Sequence, residues 1–321
     1  MTRRLLALLA VLAFAPPVFA REFRTRLRPP RHGAQIRLSP ITIAPTSERE
    51  VCQLVTLPNR RALEVDSLYV AMPSGPTYSS HHFAMFLYEG DGTATPAGQP
   101  VDSVGCVGVG KQFVSPILAF VQRPRQRIAF PLGVGVRLRP HQQLLLNAHY
   151  INGGTEPVTI DVAANFRAAR RPLRHHARSF QLGTLRIAVP PGEEGSASAS
   201  WVTPFPMNVV WLSTHSHKHT ESVEVDRVTA GVTGAPELTT LSYSEPHVNL
   251  YPRPLRLEAG DGFRWTCRYR NAGTDVLRFG VTSNDEMCFT VGFFYPDDDA
   301  APLPRVRGCF GNGEGLVCPL Q

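Results

Sequence analysis

Five histidines and one methionine carry most of the chemical information in this chain. They lie in four short segments: His81 and His82 in SSHHFAMFLY, His149 in LLLNAHYIN, His215 and His217 in STHSHKHT, and Met287 in SNDEMCFTVGFFYP. Imidazole nitrogens bind copper, zinc, iron and nickel, whereas a thioether sulfur favours Cu(I). The combined set of donors therefore predicts a copper protein with a route to dioxygen chemistry.

The geometry of the predicted β-strands decides which of these side chains can meet. Side chains at positions i and i+2 share one face of a strand, so His215 and His217 point the same way and can chelate one ion. His149 lies on the face opposite the leucine-rich side of its strand. His81 and His82 are adjacent, so both reach one ion only if the start of their strand is bulged.

The N-terminus predicts export. Arg3 and Arg4 precede an apolar run, and Val18-Phe19-Ala20 provides a small-residue cleavage site, which is the pattern of a secretory signal peptide. The apolar run is shorter than the roughly 20 residues of a transmembrane helix, so we expect no membrane insertion. We expect residues 1–20 to be removed and the mature chain to be periplasmic or secreted.

The charge of the chain gives no reason to expect a nucleic-acid partner. The sequence has 33 Lys and Arg against 26 Asp and Glu, a net charge of +7. This excess is mild and is spread along the chain, which is typical of an ordinary solvated surface.

Six cysteines in an exported chain predict three disulfides. Six cysteines allow 15 pairings, so the sequence alone leaves the connectivity open. Their clustering suggests the pairs Cys52–Cys106, Cys267–Cys288 and Cys309–Cys318.

The pattern along the chain is all-β. The 29 prolines and 26 glycines are scattered, as expected for many short strands joined by turns, and no amphipathic helix of 12 residues or more is predicted. The predicted strands are Leu63–Met72, His82–Tyr88, Gln143–Ile151, Val158–Phe166, Phe180–Ile187, Asn208–His217, Glu221–Val228, Phe263–Tyr269 and Cys288–Phe294.

This pattern predicts two β-sandwich, jelly-roll-like domains in tandem. We expect an N-terminal domain at residues 36–168 and a C-terminal domain at residues 178–300. Residues 169–177 are basic and contain a proline, which predicts a linker. Pro191–Ser200 is predicted to be a flexible loop, and residues 301–321 a tail stapled by a disulfide.

The segments that carry the candidate ligands resemble the copper type II, ascorbate-dependent monooxygenase family, which includes the peptidylglycine α-hydroxylating and dopamine β-monooxygenases. The stretches HHFAMFLYEG, LLLNAHYIN, THSH and DEMCFTVGFFYP occur in the family's order with comparable spacing. The chain is identified by this resemblance as a bacterial-type, exported member. The family has a disulfide ending at the cysteine after its methionine ligand, and Cys288 matches that cysteine.

The resemblance implies two copper ions per chain, in two β-sandwich domains that face each other across an open cleft. One ion would be held by His81, His82 and His149. The other would be held by His215, His217 and Met287, which would form the catalytic site. The implied reaction is hydroxylation of an sp³ C–H bond of a small molecule, with O₂ and ascorbate or a similar reductant as co-substrates.

Three positions depart from the family's peptide-binding pattern. Peptidylglycine hydroxylation uses an arginine two residues before the H-x-H pair and polar residues two and four places after the methionine. This chain has Ser213, Phe289 and Val291 there. The carboxylate clamp is therefore missing, which predicts a substrate other than a peptide and a more apolar pocket.

Two other functions stay open from the sequence. The first is a non-catalytic, exported copper-binding protein for storage or sensing. The second is a zinc hydrolase that uses His81, His82 and His149 with water as the fourth ligand, although this leaves Met287 without a role. The sequence assigns no role to His219, and it identifies neither the substrate nor the oligomeric state.

Overall fold

The computed structural model describes residues 20–88, 98–107, 109, 115–298 and 315–320. The predicted signal peptide, apart from Ala20, and Cys309 of the third predicted disulfide lie outside the described residues. Within them, strands dominate and a 3₁₀ helix occupies Val104–Cys106. No helix in this part of the chain is long and apolar enough to span a membrane.

Eleven strands precede residue 170. They are β1 (Arg21–Phe23), β2 (Gly33–Ile43), β3 (Ser47–Thr56), β4 (Leu63–Ala71), β5 (Tyr78–Leu87), β6 (Val101–Asp102), β7 (Ile117–Val121), β8 (Arg125–Ala129), β9 (Val134–Leu138), β10 (Gln143–Asn152) and β11 (Val158–Ala168).

Twelve further strands follow. They are β12 (His175–His176), β13 (Arg178–Thr184), β14 (Ala188–Val189), β15 (Glu194–Val202), β16 (Met207–His215), β17 (Thr220–Thr229), β18 (Val232–Thr240), β19 (Val248–Leu257), β20 (Gly262–Arg270), β21 (Leu277–Arg278), β22 (Phe289–Pro296) and β23 (Gly315–Leu320).

The first half of the chain forms a sandwich of two sheets. One has the order β1-β11-β4-β9-β12, with β2 added to β11 and β8 added to β4, and the other has the order β6-β3-β10-β5-β7. Alternation along β10 sends Leu144, Leu146, Ala148 and Tyr150 into the core between the sheets. His149 therefore lies on the other face of the five-stranded sheet, as predicted.

The second half forms another sandwich. A five-stranded sheet, β19-β16-β22-β13-β23, packs on a four-stranded sheet, β15-β20-β17-β18, and β14 pairs with β21 beside them. The core between these sheets contains fully buried aromatic side chains, among them Phe180, Phe263, Trp265 and Tyr269. The prediction of an all-β chain built from sandwiches is confirmed.

Two of the predicted disulfides are present. Cys52–Cys106 joins β3 to the 3₁₀ helix, and Cys267–Cys288 joins β20 to the residue before β22. The second bond therefore links the two sheets of the second sandwich directly behind Met287.

The two five-stranded sheets face each other at the junction between the sandwiches. Trp211 of β16, with Val291 and Phe293 of β22, packs into the hydrophobic cluster of the first half. Their strand neighbours Leu212 and Phe294 point the other way, into the second core. Residues of both halves thus share one cluster, and the domain limits at 36–168 and 178–300 stay a prediction.

Two segments predicted to be irregular form strands. Pro191–Ser200 was expected to be a loop, but Glu194–Val202 pairs with β20 and buries Ala197 and Trp201. The Gly, Ala and Ser residues of this segment are all small, so the sequence shows no clear alternation of apolar and polar side chains. Buried and exposed residues alternate only when a partner strand covers one face. Within the segment predicted as a linker, His175 and His176 pair with β9 of the first half, and the linker itself stays a prediction.

Candidate metal centre

A β-bulge brings the first three histidines together. His149 of β10 lies opposite His82 of β5, but the next pair is Tyr150 with Ser80, so His81 is an extra residue. The ring centroids of His81 and His82 are 5.2 Å apart, and the His149 ring lies 5.0 and 5.5 Å from them. One potential ligand atom from each lies within 4.8 Å of the others. The bulge that the sequence required is therefore present.

Hydrogen bonds orient two of these rings. The Nε2 atom of His82 lies 2.6 Å from Oδ1 of Asn147, and Nε2 of His149 lies 3.1 Å from a carboxylate oxygen of Glu48. Both oxygens are acceptors, so each Nε2 carries the proton and donates it, which leaves Nδ1 with a free lone pair. Asn147 in turn donates from Nδ2 to Glu50, at 2.7 Å.

Four ring nitrogens in this region are buried and have no hydrogen-bond partner among the described residues. They are Nε2 of His81 and the Nδ1 atoms of His82, His149 and His215. Buried polar atoms are normally paired, so each orphan atom needs an explanation. A bound metal ion would use free lone pairs of this kind, and because His81, His82 and His149 each place a potential ligand atom within 4.8 Å of the others, these three residues fit a copper ion.

The second set of candidate ligands lies at the end of β16 and just before β22. The strand predicted to reach His217 ends at His215, and the chain then turns back. The two rings still meet, with centroids 5.2 Å apart. His217 donates from Nδ1 to the carbonyl oxygen of Asp285, at 3.0 Å, which leaves its Nε2 free. Met287 is 6% exposed and lines the same cavity as both histidines.

A buried carboxylate that the sequence analysis did not single out ties this second set together. Glu286 is 0% exposed. Its oxygens accept hydrogen bonds from the backbone N–H groups of His217 (3.0 Å), His219 (2.7 Å) and Met287 (3.2 Å), and from the hydroxyl of Thr220 (3.0 Å). Burial raises the pKa of Glu286 to about 7, while the four donated bonds oppose that rise. Glu286 thus links the histidine loop to the methionine.

The two sets of histidines touch each other. Ring centroids are 5.4 Å apart for His81 and His217, 5.8 Å for His82 and His215, and 6.3 Å for His81 and His215. We call these four rings and that of His149 the imidazole cluster. The two halves face each other as expected, but at the cluster the space between them is closed.

The closure has an identifiable cause. The outward faces of β16 and β22 are apolar, and burying Trp211 and Phe293 against the first half stabilises the junction. Ser283 adds a hydrogen bond across it, donating to Glu48 at 2.7 Å. The ring of Phe120 also packs on His215, at 4.5 Å.

A cavity lies beside the imidazole cluster, between the two facing sheets. Its empty space is about 530 Å³ with the mouth included, of which about 50 Å³ is open to the centres of water molecules. Phe289 and Val291 line it, at two of the positions where the family's peptide clamp is missing. The third, Ser213, donates instead to the carbonyl oxygen of His247, at 2.8 Å. The side chain of Phe294, on the same strand as Phe289 and Val291, packs in the second core instead.

Burial favours the neutral form of four imidazoles in the cluster. Desolvation lowers the pKa of His82 to about 3 and that of His217 to about 4, and it places the pKa values of His81 and His215 well below the usual range. Neighbouring imidazoles lower these values further. Neutral imidazole is the form that binds metal, so protons compete with copper only in acid.

We expect the metal-free protein to lose stability as the pH falls from 6.5 towards 4.5. Each of these histidines takes up a proton in the unfolded chain near pH 6.5 but resists it when folded, so the unfolded state binds more protons. Each one lowers the free energy of unfolding by up to about 1.4 kcal/mol per pH unit. Glu286 is a single group that acts in the opposite direction. Because its pKa is raised in the folded state, the folded chain takes up this proton more readily, and the contribution of Glu286 to the free energy of unfolding increases as the pH falls.

Urea unfolding at a series of pH values measures this slope. Replacing His215 by asparagine removes one contributing group and should flatten the slope. Equal stability at pH 6.5 and 4.5 would contradict the lowered pKa values of these four histidines.

Comparison with known proteins supports one family. Residues 186–314 match the family model described as "Copper type II ascorbate-dependent monooxygenase, C-terminal domain". The matched segment contains His215, His217 and Met287, and the match supports this family for the chain. No curated protein matches the sequence.

Three solved structures match most of this chain at low sequence identity and with TM-scores below 0.5. The major capsid protein P2 from bacteriophage PM2 is 10% identical, with 83% of this chain and 99% of that chain covered and a TM-score of 0.33. The STIV MCP is 12% identical, with coverage of 83% and 92% and a TM-score of 0.30. PNGF-II is 8% identical, with coverage of 91% and 66% and a TM-score of 0.28. Similarity at this level says nothing about function.

Proposed function

We propose that this chain is a copper-dependent monooxygenase that hydroxylates an sp³ C–H bond of a small molecule, using O₂ and an ascorbate-type reductant. One copper ion would be held by His81, His82 and His149, and a second by His215, His217 and Met287. The observation that carries the proposal is the convergence of buried, unpartnered ring nitrogens beside a thioether. The family match to the segment that holds the second set supports it.

Copper bound at these residues supplies one-electron redox chemistry with dioxygen, which the amino acids themselves do not provide. The chain's own residues prepare the site. Asn147, Glu48 and the carbonyl of Asp285 fix the ring orientations through hydrogen bonds to the nitrogens that do not face the metal. Burial lowers the pKa of His81, His82, His215 and His217 and so favours the unprotonated form that binds metal.

The remaining parts of the site suit a small substrate. The cavity adjoins Met287, His215 and His217, so a bound molecule lies next to the proposed catalytic set. Export fits this chemistry as well, because Cys52–Cys106 and Cys267–Cys288 are bonds that persist in oxidising compartments.

Copper content tests the proposal. After loading and desalting, we expect two copper ions per chain by elemental analysis. In the variant Met287→Leu, which preserves volume but removes the sulfur, we expect the affinity for Cu(I) at one site to fall at least tenfold in a chelator competition. The soft thioether favours Cu(I), so its loss affects that oxidation state most.

Met85→Leu is the matched control, because Met85 is fully buried in the first core and belongs to neither ligand set. Its copper content and Cu(I) affinity should equal those of the parent. One copper ion or none in the parent, or a preference for zinc, would exclude the proposed dicopper enzyme. Two ions with no oxygen consumption on any reductant and substrate would indicate a copper-storage protein instead.

A further inference from the structure

The described walls of the cavity beside the imidazole cluster are mainly apolar. They are formed mainly by Phe86, Ile117, Phe120, Val281, Phe289 and Val291. Among the described residues that line the cavity, none is a lysine or an arginine. Such walls favour burial of apolar surface and offer no partner for an anionic group.

The one carboxylate in the lining belongs to the histidine end of the cavity. Glu50 accepts hydrogen bonds at Oε1 from the backbone N–H of Gly105, at 2.9 Å, and from Asn147, at 2.7 Å. It lies 4.0 Å from Nδ1 of His149. Its negative charge further disfavours an anionic ligand.

Gln181 is the exception among the apolar walls. It lies on β13 between Phe180 and Leu182, whose side chains enter the second core, so alternation directs Gln181 to the opposite face. On that face β22 places Val291 directly opposite it. Gln181 is 8% exposed and lines the cavity.

The side-chain amide of Gln181 makes no hydrogen bond within the described part of the chain, and its atoms are not among the fully buried ones that lack a partner. The amide therefore meets the open space of the cavity, where a water molecule or a polar group of a ligand can bond to it. Ligand sites commonly combine apolar walls with a few polar groups that fix orientation. A site of this kind discriminates against an analogue that lacks the matching polar group.

We propose that Gln181 is a specificity-determining residue, and that the cavity takes an uncharged, mainly apolar molecule whose one hydroxyl, carbonyl or amide group hydrogen-bonds to the Gln181 side chain. The inference rests on the proposed function, for which it names the substrate class. The amide both donates and accepts, so it serves any of these groups. Anchoring that polar group fixes which part of the apolar body lies beside Met287.

Binding to the metal-free chain tests this inference without any catalytic readout. The three probes each contain one benzene ring. Benzyl alcohol carries a hydroxyl group, toluene carries no polar group, and benzoate carries a carboxylate. Dissociation constants are measured by NMR titration for the parent and for Gln181→Leu. In Gln181→Leu, we expect the dissociation constant of benzyl alcohol to rise about 3–10-fold relative to that of toluene. The reason is that benzyl alcohol loses one hydrogen bond and toluene loses none.

The exposed Gln143 supplies the control, because Gln143→Leu makes the same change outside the cavity and should leave the ratio unchanged. Gln181→Met repeats the test with a flexible side chain if leucine does not pack. Benzoate should show no measurable binding. An unchanged ratio in both Gln181 variants, binding of benzoate as tight as that of benzyl alcohol, or no binding of either neutral probe would overturn the inference.

These outcomes are separate from those of the copper experiment. If the chain binds two copper ions but the Gln181 variants leave the ratio of dissociation constants unchanged, the role of Gln181 is overturned and the dicopper proposal stands. A clear ratio shift in a chain that binds no copper would keep the ligand site and overturn the enzyme.

Discussion

The variants His149→Ala and His215→Ala should each bind one copper ion per chain and lose reductant-dependent oxygen consumption. Each substitution removes one ring from one of the two proposed ligand sets. Even the loss of a residue that only orients a metal ligand typically costs 10–100-fold in affinity, so loss of a ligand should cost at least 100-fold at its own site. Elemental analysis after desalting, with oxygen-electrode measurements, gives both quantities.

His219→Ala is the matched control for these variants. His219 is partly exposed and belongs to the same H-S-H-K-H run, but its ring is not in the imidazole cluster. Its backbone N–H donates to Glu286, and the substitution keeps that bond. We expect two copper ions and unchanged turnover.

Other copper contents in these variants would also be informative, because the two proposed ligand sets are in contact. The rings of His81 and His217 lie only 5.4 Å apart at their centroids, so a histidine from one set is close enough to replace a lost ligand of the other. If both alanine variants retained two copper ions, or if each lost both ions together, the five rings would act as one shared site. Either result would exclude two independent copper sites.

Among substitutions at residues that are not proposed copper ligands, Glu286→Gln should have the largest effect on stability. The carboxylate accepts four donated hydrogen bonds at complete burial, and an amide offers one acceptor oxygen and points its NH₂ group at a donor. Each buried donor left without a partner costs about 1–3 kcal/mol. We expect the free energy of unfolding to fall by about 2–4 kcal/mol in urea titrations at pH 8, where the carboxyl is ionised.

The same variant should weaken one copper site and spare the other. Glu286 holds the backbone of His217 and Met287, so the Cu(I) affinity of the second set should fall about 10–100-fold while that of the first set stays constant. Glu221→Gln is the control, because Glu221 is exposed and pairs with Arg270 at the surface, where ion pairs contribute little. Equal losses at both copper sites would indicate general destabilisation and not positioning by Glu286.

The candidate ligands could be singled out from the sequence because that choice depends on residue types and on local spacing. The alternation of β10 separates His149 from its leucine neighbours whatever packs above it, and the adjacency of His81 and His82 demands a bulge. The clustering of the cysteines also suggested the two pairs that the structure contains. The alternation of β10 and the bulge at His81 and His82 involve short segments, in which backbone geometry alone limits the possibilities.

Strands made of small or polar residues were not predictable in the same way. Glu194–Val202 resembles a loop in sequence, and it becomes a strand because β20 covers one of its faces. Within residues 169–177, the pairing of His175 and His176 with β9 was not predictable for a similar reason, because β9 lies in a distant part of the sequence. β-propensity depends on the neighbours that a strand acquires, and the tertiary fold supplies them.

The sequence by itself therefore determined the set of candidate ligands, the faces on which they lie and the all-β class. The tertiary structure decided that both sets meet in one cluster, that Glu286 binds the loop carrying His217 and His219, and that Gln181 faces a mainly apolar cavity. Each of these contacts joins residues far apart in the chain. Burial and hydrogen-bond satisfaction select them only when whole sheets pack together, which no local pattern in the sequence encodes.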